Sequence, residues 1–189
     1  AGMGMSASGA GEGILTLTLD GDQSWQYQNV LRVLRAMENL YDSFDESQKK
    51  KQLGYVKGAQ VMSIYLGLFG TDLYGAIPYK EACKAAYGGT LTPEYDSVES
   101  LYDLWLTQLD ECIAAFTSED VSIKSEQDVV CGGDKAKWAK FANSLKLKIA
   151  VRLLAQNPTK AKQIAAAVES AACGYMNTNS DDILFKKGV

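Results

Sequence analysis

The sequence predicts an all-α fold, made of antiparallel helix pairs that are joined by turns and by one long ordered loop. Through most of the chain the apolar residues recur at spacings of three and four, the period of an amphipathic helix. The intervals between these runs contain the Gly, Pro, Asn and Asp residues that typically begin and end helices. Only residues 14–19 alternate apolar and polar positions as a strand does, and one strand cannot form a sheet.

Composition narrows the classes of function. A hydrophobic content of 47%, with ten Tyr, five Phe and three Trp, is sufficient for a folded core. The net charge of −4 argues against nucleic-acid binding, because neutralising phosphates requires an excess of Lys and Arg. No segment approaches the ~20 apolar residues of a membrane-spanning helix. The four cysteines form no Cys-x-x-Cys pair, which leaves buried free thiols or one disulfide as alternatives.

The first two helices follow an N-terminal arm. We expect residues 1–22 to be a flexible arm in which residues 14–19 can form a short strand, and residues 23–189 to be a helical domain. The first helix, capped by Asp22 or Ser24, has one apolar stripe. That stripe contains Tyr27, Val30, Leu31, Leu34, Met37, Tyr41 and Phe44. The second helix begins near Glu46, and its latter half is apolar on nearly all sides, which predicts a central position. Gly70 is expected to end it.

Two irregular segments follow, before a third helix. Residues 71–79 contain Gly75 and Pro78 too close together for a regular helix, and residues 88–96 also form a loop. Asp96 or Ser97 then caps the third helix. A capping box from Asp96 would use Glu99, three residues later.

The last two helices have clear start signals. After a polar connection over residues 118–133, Asp134 is expected to cap the fourth helix. Asn157 and Pro158 stop that helix and start the fifth, because Asn caps well and Pro fits the first helical position. The fifth helix is predicted to end at Gly174. Trp105 and Trp138 lie on apolar helix stripes and are predicted to be core residues.

Three sequence blocks, in this order and spacing, resemble the SusD/RagB family. Residues 72–82 (DLYGAIPYKEA) are similar to that family's D-L-Y-G-x-I-P-Y-x-E-A segment, and residues 91–97 (LTPEYDS) to its next element. Residues 132–148 (GGDKAKWAKFANSLKLK) are similar to its G-G-D-x-x-K-W-x-K-F-A-N-S-L-K-L helix. The resemblance covers roughly residues 25–185 and implies a SusD-like fold of tetratricopeptide-like helix pairs.

The resemblance also implies a function. Family members are outward-facing lipoproteins of the Bacteroidota outer membrane, which bind oligosaccharides or other nutrients over a TonB-dependent, SusC-like barrel. We therefore expect a glycan- or nutrient-binding protein of oligosaccharide uptake, attached to the membrane only through an N-terminal lipid that this chain does not contain. Since members are several times longer in their binding half, the chain is expected to be part of a longer protein and to bind sugars weakly alone. The alternative is a generic helical-repeat adaptor between proteins.

Catalysis is poorly supported, and we predict no enzyme, no cofactor and no metal site. The sequence has no His, no Gly-x-Ser-x-Gly elbow and no phosphate-binding loop. Its paired acids are adjacent, and adjacent side chains on a helix point apart. Acidic residues at 20, 22, 181 and 182 lack the spacing of a calcium loop, which favours a loop or capping role.

Six residues are candidates for ligand contact. Aromatic rings stack on the apolar faces of sugars, while carboxylates and backbone groups bind the hydroxyls. The candidates are Trp25, Asp72, Tyr74, Tyr79, Tyr87 and Tyr95. For the block at residues 72–79 a structural alternative stays open, in which its aromatic side chains fill the seam between helix pairs.

Overall fold

The computed structural model describes residues 26–183, which form five α-helices and no strand. The helices are α1 (Arg32–Asp42), α2 (Glu46–Tyr74), α3 (Val98–Thr117), α4 (Lys135–Leu153) and α5 (Pro158–Ser170). A π-helical turn leads into α1, and three short 3-10 helices lie in the connections. These four elements are Gln26–Leu31, Ala85–Tyr87, Ser125–Gln127 and Asn179–Asp181. The all-α prediction is confirmed. The predicted arm, its strand and the caps Asp22 and Ser24 lie outside the described residues.

Four of the five α-helices begin at a side chain that accepts a hydrogen bond from a free backbone N–H of the first turn. These N-caps are Asp45, Ser97, Asp134 and Asn157, with distances of 2.8 to 3.2 Å. The predicted caps of α3, α4 and α5 are therefore confirmed. The capping box from Asp96 is wrong, because the Asp96 carboxylate accepts from the N–H groups of Tyr79 and Lys80 instead.

Two predicted helix ends are wrong, and tertiary contacts explain both. Helix α2 continues through Gly70 to Tyr74, since Gly70 is buried and the next turn is joined to α4 by an Asp72–Arg152 ion pair. Helix α5 ends at Ser170, before Gly174. The Asn143 amide donates both to the carbonyl of Val168 (3.1 Å) and to that of Gly174 (2.8 Å), so the chain leaves the helix between them.

Each helix packs mainly on the one before it in the chain, in antiparallel fashion. Phe116, near the end of α3, stacks on Trp138, near the start of α4, at 5.7 Å between ring centroids. Gly67, in the last third of α2, faces Trp105, in the first half of α3. Trp105 and Trp138 are buried, as predicted.

Within residues 26–183 no helix is both long and apolar enough to cross a bilayer. All four cysteines are free thiols.

Candidate functional site

Tyr79, one of the predicted contact residues, lies in the core. Its side chain is 3% exposed, and its hydroxyl lies 2.9 Å from the hydroxyl of Ser63 on α2. Its ring meets Trp105 edge-on at 5.2 Å. Burial raises the pKa of Tyr79 to about 12, despite the opposing effects of Ser63 and of the nearby Arg35 cation. The structural alternative therefore applies to Tyr79, whose ring has no free face for a sugar.

The backbone around Tyr79 is fixed from two sides. The Asp96 carboxylate accepts from the N–H of Tyr79 (3.0 Å) and of Lys80 (2.9 Å), and Asp96 also forms an isolated β-bridge with Ile77. From α1, the Arg35 guanidinium donates to the carbonyl of Tyr79 (2.9 Å). These hydrogen bonds anchor the backbone at Tyr79 and Lys80. The segment that follows is therefore held at a defined place against α1.

Tyr87 is presented by a tight turn just beyond that anchor. The carbonyl of Lys84 accepts from the N–H groups of Tyr87 (2.9 Å) and Gly89 (3.0 Å). Gly88 has a φ of 85°, in the left-handed region that favours glycine. A β-carbon on Gly89 would lie 2.7 Å from the Cβ of Lys84, so the turn has no room for a side chain there. The turn leaves the Tyr87 side chain 43% exposed.

Tyr87 separates two adjoining clefts, which together we call the Tyr87 groove. The first, about 620 Å³, is mainly apolar. Its walls are formed by Arg32, Val33, Ala36, Met37 and Leu40 of α1 and by Cys83, Ala85, Ala86 and Tyr87. The second, about 610 Å³, is polar, and it is lined by Arg35, Glu38, Asn39, Asp42, Lys84, Tyr87, Gly88 and Gly89. Both volumes are in the range of small-molecule sites, about 300–1,000 Å³.

The polar half of the groove contains a preorganised ion pair. Arg35 is buried, and its guanidinium donates to the Glu38 carboxylate at 2.7 Å while also holding the Tyr79 carbonyl. In the apolar half, burial raises the pKa of the Cys83 thiol, so that this side chain is neutral at pH 7. An aromatic face with apolar surface on one side and carboxylate, amide and ammonium groups on the other can bind a sugar by stacking and hydrogen bonding.

The other predicted contact residues lie elsewhere. Asp72 is on α2, where its carboxylate accepts from the Arg152 guanidinium, and Tyr74 ends the same helix, packed against the core. Both were expected in an irregular loop. Tyr95 is 71% exposed on the segment before α3. Trp25 lies outside the described residues.

Sequence reasoning missed the polar side of α1. Arg35, Glu38, Asn39 and Asp42 follow a spacing of three and four, on the side of α1 next to the buried Leu31 and Leu34. The same period that predicted the helix was thus a signal for a polar face. Its pairing with the turn at Tyr87 depends on the Arg35–Tyr79 hydrogen bond, which joins residues 44 positions apart.

Comparison with known proteins identifies the family. A family model of the SusD-like type, described as "Starch-binding associating with outer membrane", matches residues 16–188. The chain is also similar to the solved structure of a SusD-like protein of Bacteroidetes, at 31% identity and a TM-score of 0.69. This likeness covers 87% of the present chain and 28% of the other. A comparison with curated proteins found no match.

Two further solved structures are also similar to this chain. One is a SusD homologue from Bacteroides uniformis, with 29% identity, a TM-score of 0.72 and coverage of 85% of this chain and 31% of that one. The other is a chitin-binding protein, with 27% identity, a TM-score of 0.71 and coverage of 86% and 32%. The chain spans less than a third of the length of these relatives. The resemblance noted in the sequence is confirmed, and the chain belongs to the SusD-like family.

Proposed function

We propose that this protein captures glycans or related nutrients at the outer membrane for a TonB-dependent, SusC-like transporter, without catalysing a reaction. The observation that carries the proposal is the match of residues 16–188 to a family described as starch-binding and associated with the outer membrane. One similar structure is a chitin-binding protein, which supports a polysaccharide as the class of ligand. An outward-facing lipoprotein, held by an N-terminal lipid, is the arrangement that suits this role. This match favours a binding protein over a generic helical adaptor.

The Tyr87 groove is the part of the described chain best suited to a sugar. Its turn is fixed by backbone hydrogen bonds and glycine geometry, so little ordering accompanies binding. The Tyr87 ring provides a stacking face, and Glu38, Asn39 and Lys84 provide acceptors and donors beside it. Tyr95, exposed on the same connection between α2 and α3, is proposed as a further contact.

A glycan array tests this site. The chain and its Tyr87→Ala variant are applied to immobilised starch- and chitin-derived oligosaccharides at high density, which reveals weak binding through multivalency. We expect a weak signal that falls about fivefold in Tyr87→Ala, since loss of one stacking contact of about 1 kcal/mol has that effect. Val129→Ala, an exposed apolar residue on another loop, is the control and retains the signal. Equal signals from all three proteins would reject the groove as the glycan site.

An exposed apolar face supports the transporter half of the proposal. Phe69 and Leu73, one turn apart on α2, Val151 on α4 and Leu154 just after α4 are each about half exposed. The two helices lie side by side here, because Asp72 pairs with Arg152. Contiguous exposed apolar side chains of this kind are typical of protein contact surfaces.

Co-purification tests whether this apolar face contacts the transporter. We expect Phe69→Asp to reduce co-purification with a co-expressed SusC-like barrel, whereas Val129→Asp does not. Retention of the barrel by Phe69→Asp at the control level would remove this face from the proposed interface.

A further inference from the structure

The face of α1 that points away from the core is apolar, which is the reverse of an ordinary surface helix. Leu31, just before α1, and Leu34 are buried on the inner side. The opposite side carries four apolar residues at spacings of three and four, which we call the outer stripe: Val33, Ala36, Met37 and Leu40. The first and last of these are 46% and 55% exposed. A surface helix normally presents polar residues on this side, so the outer stripe is typical of a contact surface.

The outer stripe forms one wall of the apolar half of the Tyr87 groove, and the segment from Cys83 to Tyr87 forms the other. The glycan proposed for this groove uses the polar side of the Tyr87 ring. Among the described residues that line the apolar half, Arg32 alone carries a charge, and none has a carboxylate or amide side chain. This lining therefore suits aliphatic side chains better than the hydroxyl groups of a sugar.

Residues 14–19 (ILTLTL), which we call the arm segment, have a pattern that matches this surface. In an extended strand, Leu15, Leu17 and Leu19 share one face, and Thr16 and Thr18 share the other. At about 3.3 Å per residue, the three leucines span about 13 Å. The outer stripe is about 10 Å long, at about 1.5 Å per residue of helix. The leucine face of the arm segment can therefore cover the whole stripe.

The arm segment is joined closely enough to α1 to reach the outer stripe. Residues 20–25 connect it to Gln26, the first described residue, and can span at most about 23 Å. The near end of the stripe lies about 10 Å along the helix axis from Gln26, at about 1.5 Å per residue. The segment can thus run back along α1. In that direction Asp20 and Asp22 come close to Arg32 at the near end of the groove, and the opposite charges favour the arrangement.

We propose that the arm segment docks in the apolar half of the Tyr87 groove, with its leucines against the outer stripe and its threonines toward solvent. A short connection of this kind raises the local concentration of the segment to the order of millimolar. A contact that is too weak to join separate molecules is therefore populated within one chain. The docked segment leaves the polar half of the groove open, so it forms a wall beside the proposed glycan site and does not block it.

Disulfide formation with the native, half-buried Cys83 tests the docking. Leu19→Cys places a thiol on the groove side of the arm segment, and Thr18→Cys, with nearly the same tether length, places one on the opposite side. With oxidised glutathione, we expect the disulfide to Cys83 to form at least fivefold faster in Leu19→Cys, because it requires Cα atoms about 4.4–6.8 Å apart. If the segment does not dock, the two loops close equally fast, and equal rates would overturn the proposal. Peptide mass mapping identifies the pair, and Cys83→Ser removes it.

A second comparison tests the apolar contact itself. In the Leu19→Cys chain, we expect Leu17→Asp to slow formation of the disulfide at least fivefold. Thr16→Asp, which adds the same charge on the solvent side, is the matched control and leaves the rate unchanged. Equal rates in both variants would contradict a docked leucine face. A product that is mainly a disulfide-linked dimer, and that increases with protein concentration, would assign the groove to a second copy of the chain and would also overturn the proposal.

Alkylation of Cys83 by iodoacetamide needs no engineered thiol. We expect Cys83 to react at least twofold faster in Leu17→Asp than in the unmodified chain or in Thr16→Asp, because the docked segment covers this wall of the groove. Circular dichroism establishes that each variant is folded. Equal alkylation in all three chains would count against docking. None of these results depends on a glycan, and the array comparison of Tyr87→Ala tests that site separately.

Discussion

A β-carbon on Gly67 of α2 would lie 2.6 Å from Cζ2 of Trp105, the fully buried indole of α3. The two helices approach this closely only because position 67 has no side chain. The indole in turn supports the edge of the Tyr79 ring. This one contact therefore sets both the α2–α3 distance and the position of the anchored loop.

Gly67→Ala is expected to lower the free energy of unfolding by about 2 kcal/mol. The added methyl overpacks the core, which typically costs 1–3 kcal/mol and outweighs the better helix propensity of alanine. Gly58→Ala, on the same helix with a nearest contact of 3.4 Å, is the matched control and is expected to be neutral or stabilising. Urea unfolding of both variants measures the difference. Equal unfolding midpoints would contradict the packing argument.

Tyr79→Phe is expected to destabilise the chain by about 1–2 kcal/mol at pH 7. It leaves the buried Ser63 hydroxyl without its partner at 2.9 Å. Tyr87→Phe, at an exposed ring, is the control and is expected to change little. Thermal unfolding followed by circular dichroism compares the two, and an equal effect in both would refute a structural role specific to Tyr79.

Because of Tyr79, we also expect the chain to lose stability at high pH. Because burial raises the pKa of Tyr79 from 10.0 to about 12, the folded state retains its proton more tightly than the unfolded state. The resulting stabilisation is complete below pH 10 and decreases as the pH rises through about 12. Tyr79→Phe removes this contribution, so its stability should fall less steeply over that interval.

Asp128→Asn is expected to destabilise the chain by about 2 kcal/mol at pH 7, because hydrogen bonds to a charged acceptor are stronger than those to an amide. Burial alone would raise the pKa of Asp128, but the N–H groups of Cys131 and Gly133 and the Trp138 indole lower it below 3.8. The stabilisation is therefore present above pH 3.8 and decreases as the pH falls through the lower, folded-state pKa. Melting curves recorded from pH 7 downwards should show the difference between the variant and the unmodified chain decreasing as the pH falls. A constant difference would show that charge is not the cause.

The helix starts were predictable because their determinants are local. Ser97, Asp134 and Asn157 each bond to a backbone N–H three residues ahead, so residue type and spacing were sufficient. The ends of α2 and α5 depend on residues far along the chain, Arg152 and Asn143, and local breaker residues gave the wrong positions.

The difference between local and distant determinants also explains why two of the predicted contact tyrosines differ in exposure. Tyr79 and Tyr87 both lie between α2 and α3, in segments rich in Gly, Ala and Pro. Their different exposure arises from Ser63, Arg35 and Trp105, which come from three other helices. No local pattern contains that information. The polar face of α1 was in principle visible in its period, but its role in a groove was not.

The sequential packing of the helices has a consequence for how the protein is made. Since each helix rests mainly on its predecessor, the described contacts are concentrated between neighbours in the chain, a topology associated with rapid folding. A polypeptide that emerges amino end first from a ribosome or a secretion channel can fold one helix at a time. Within residues 26–183, no later helix has to insert between helices that are already in position.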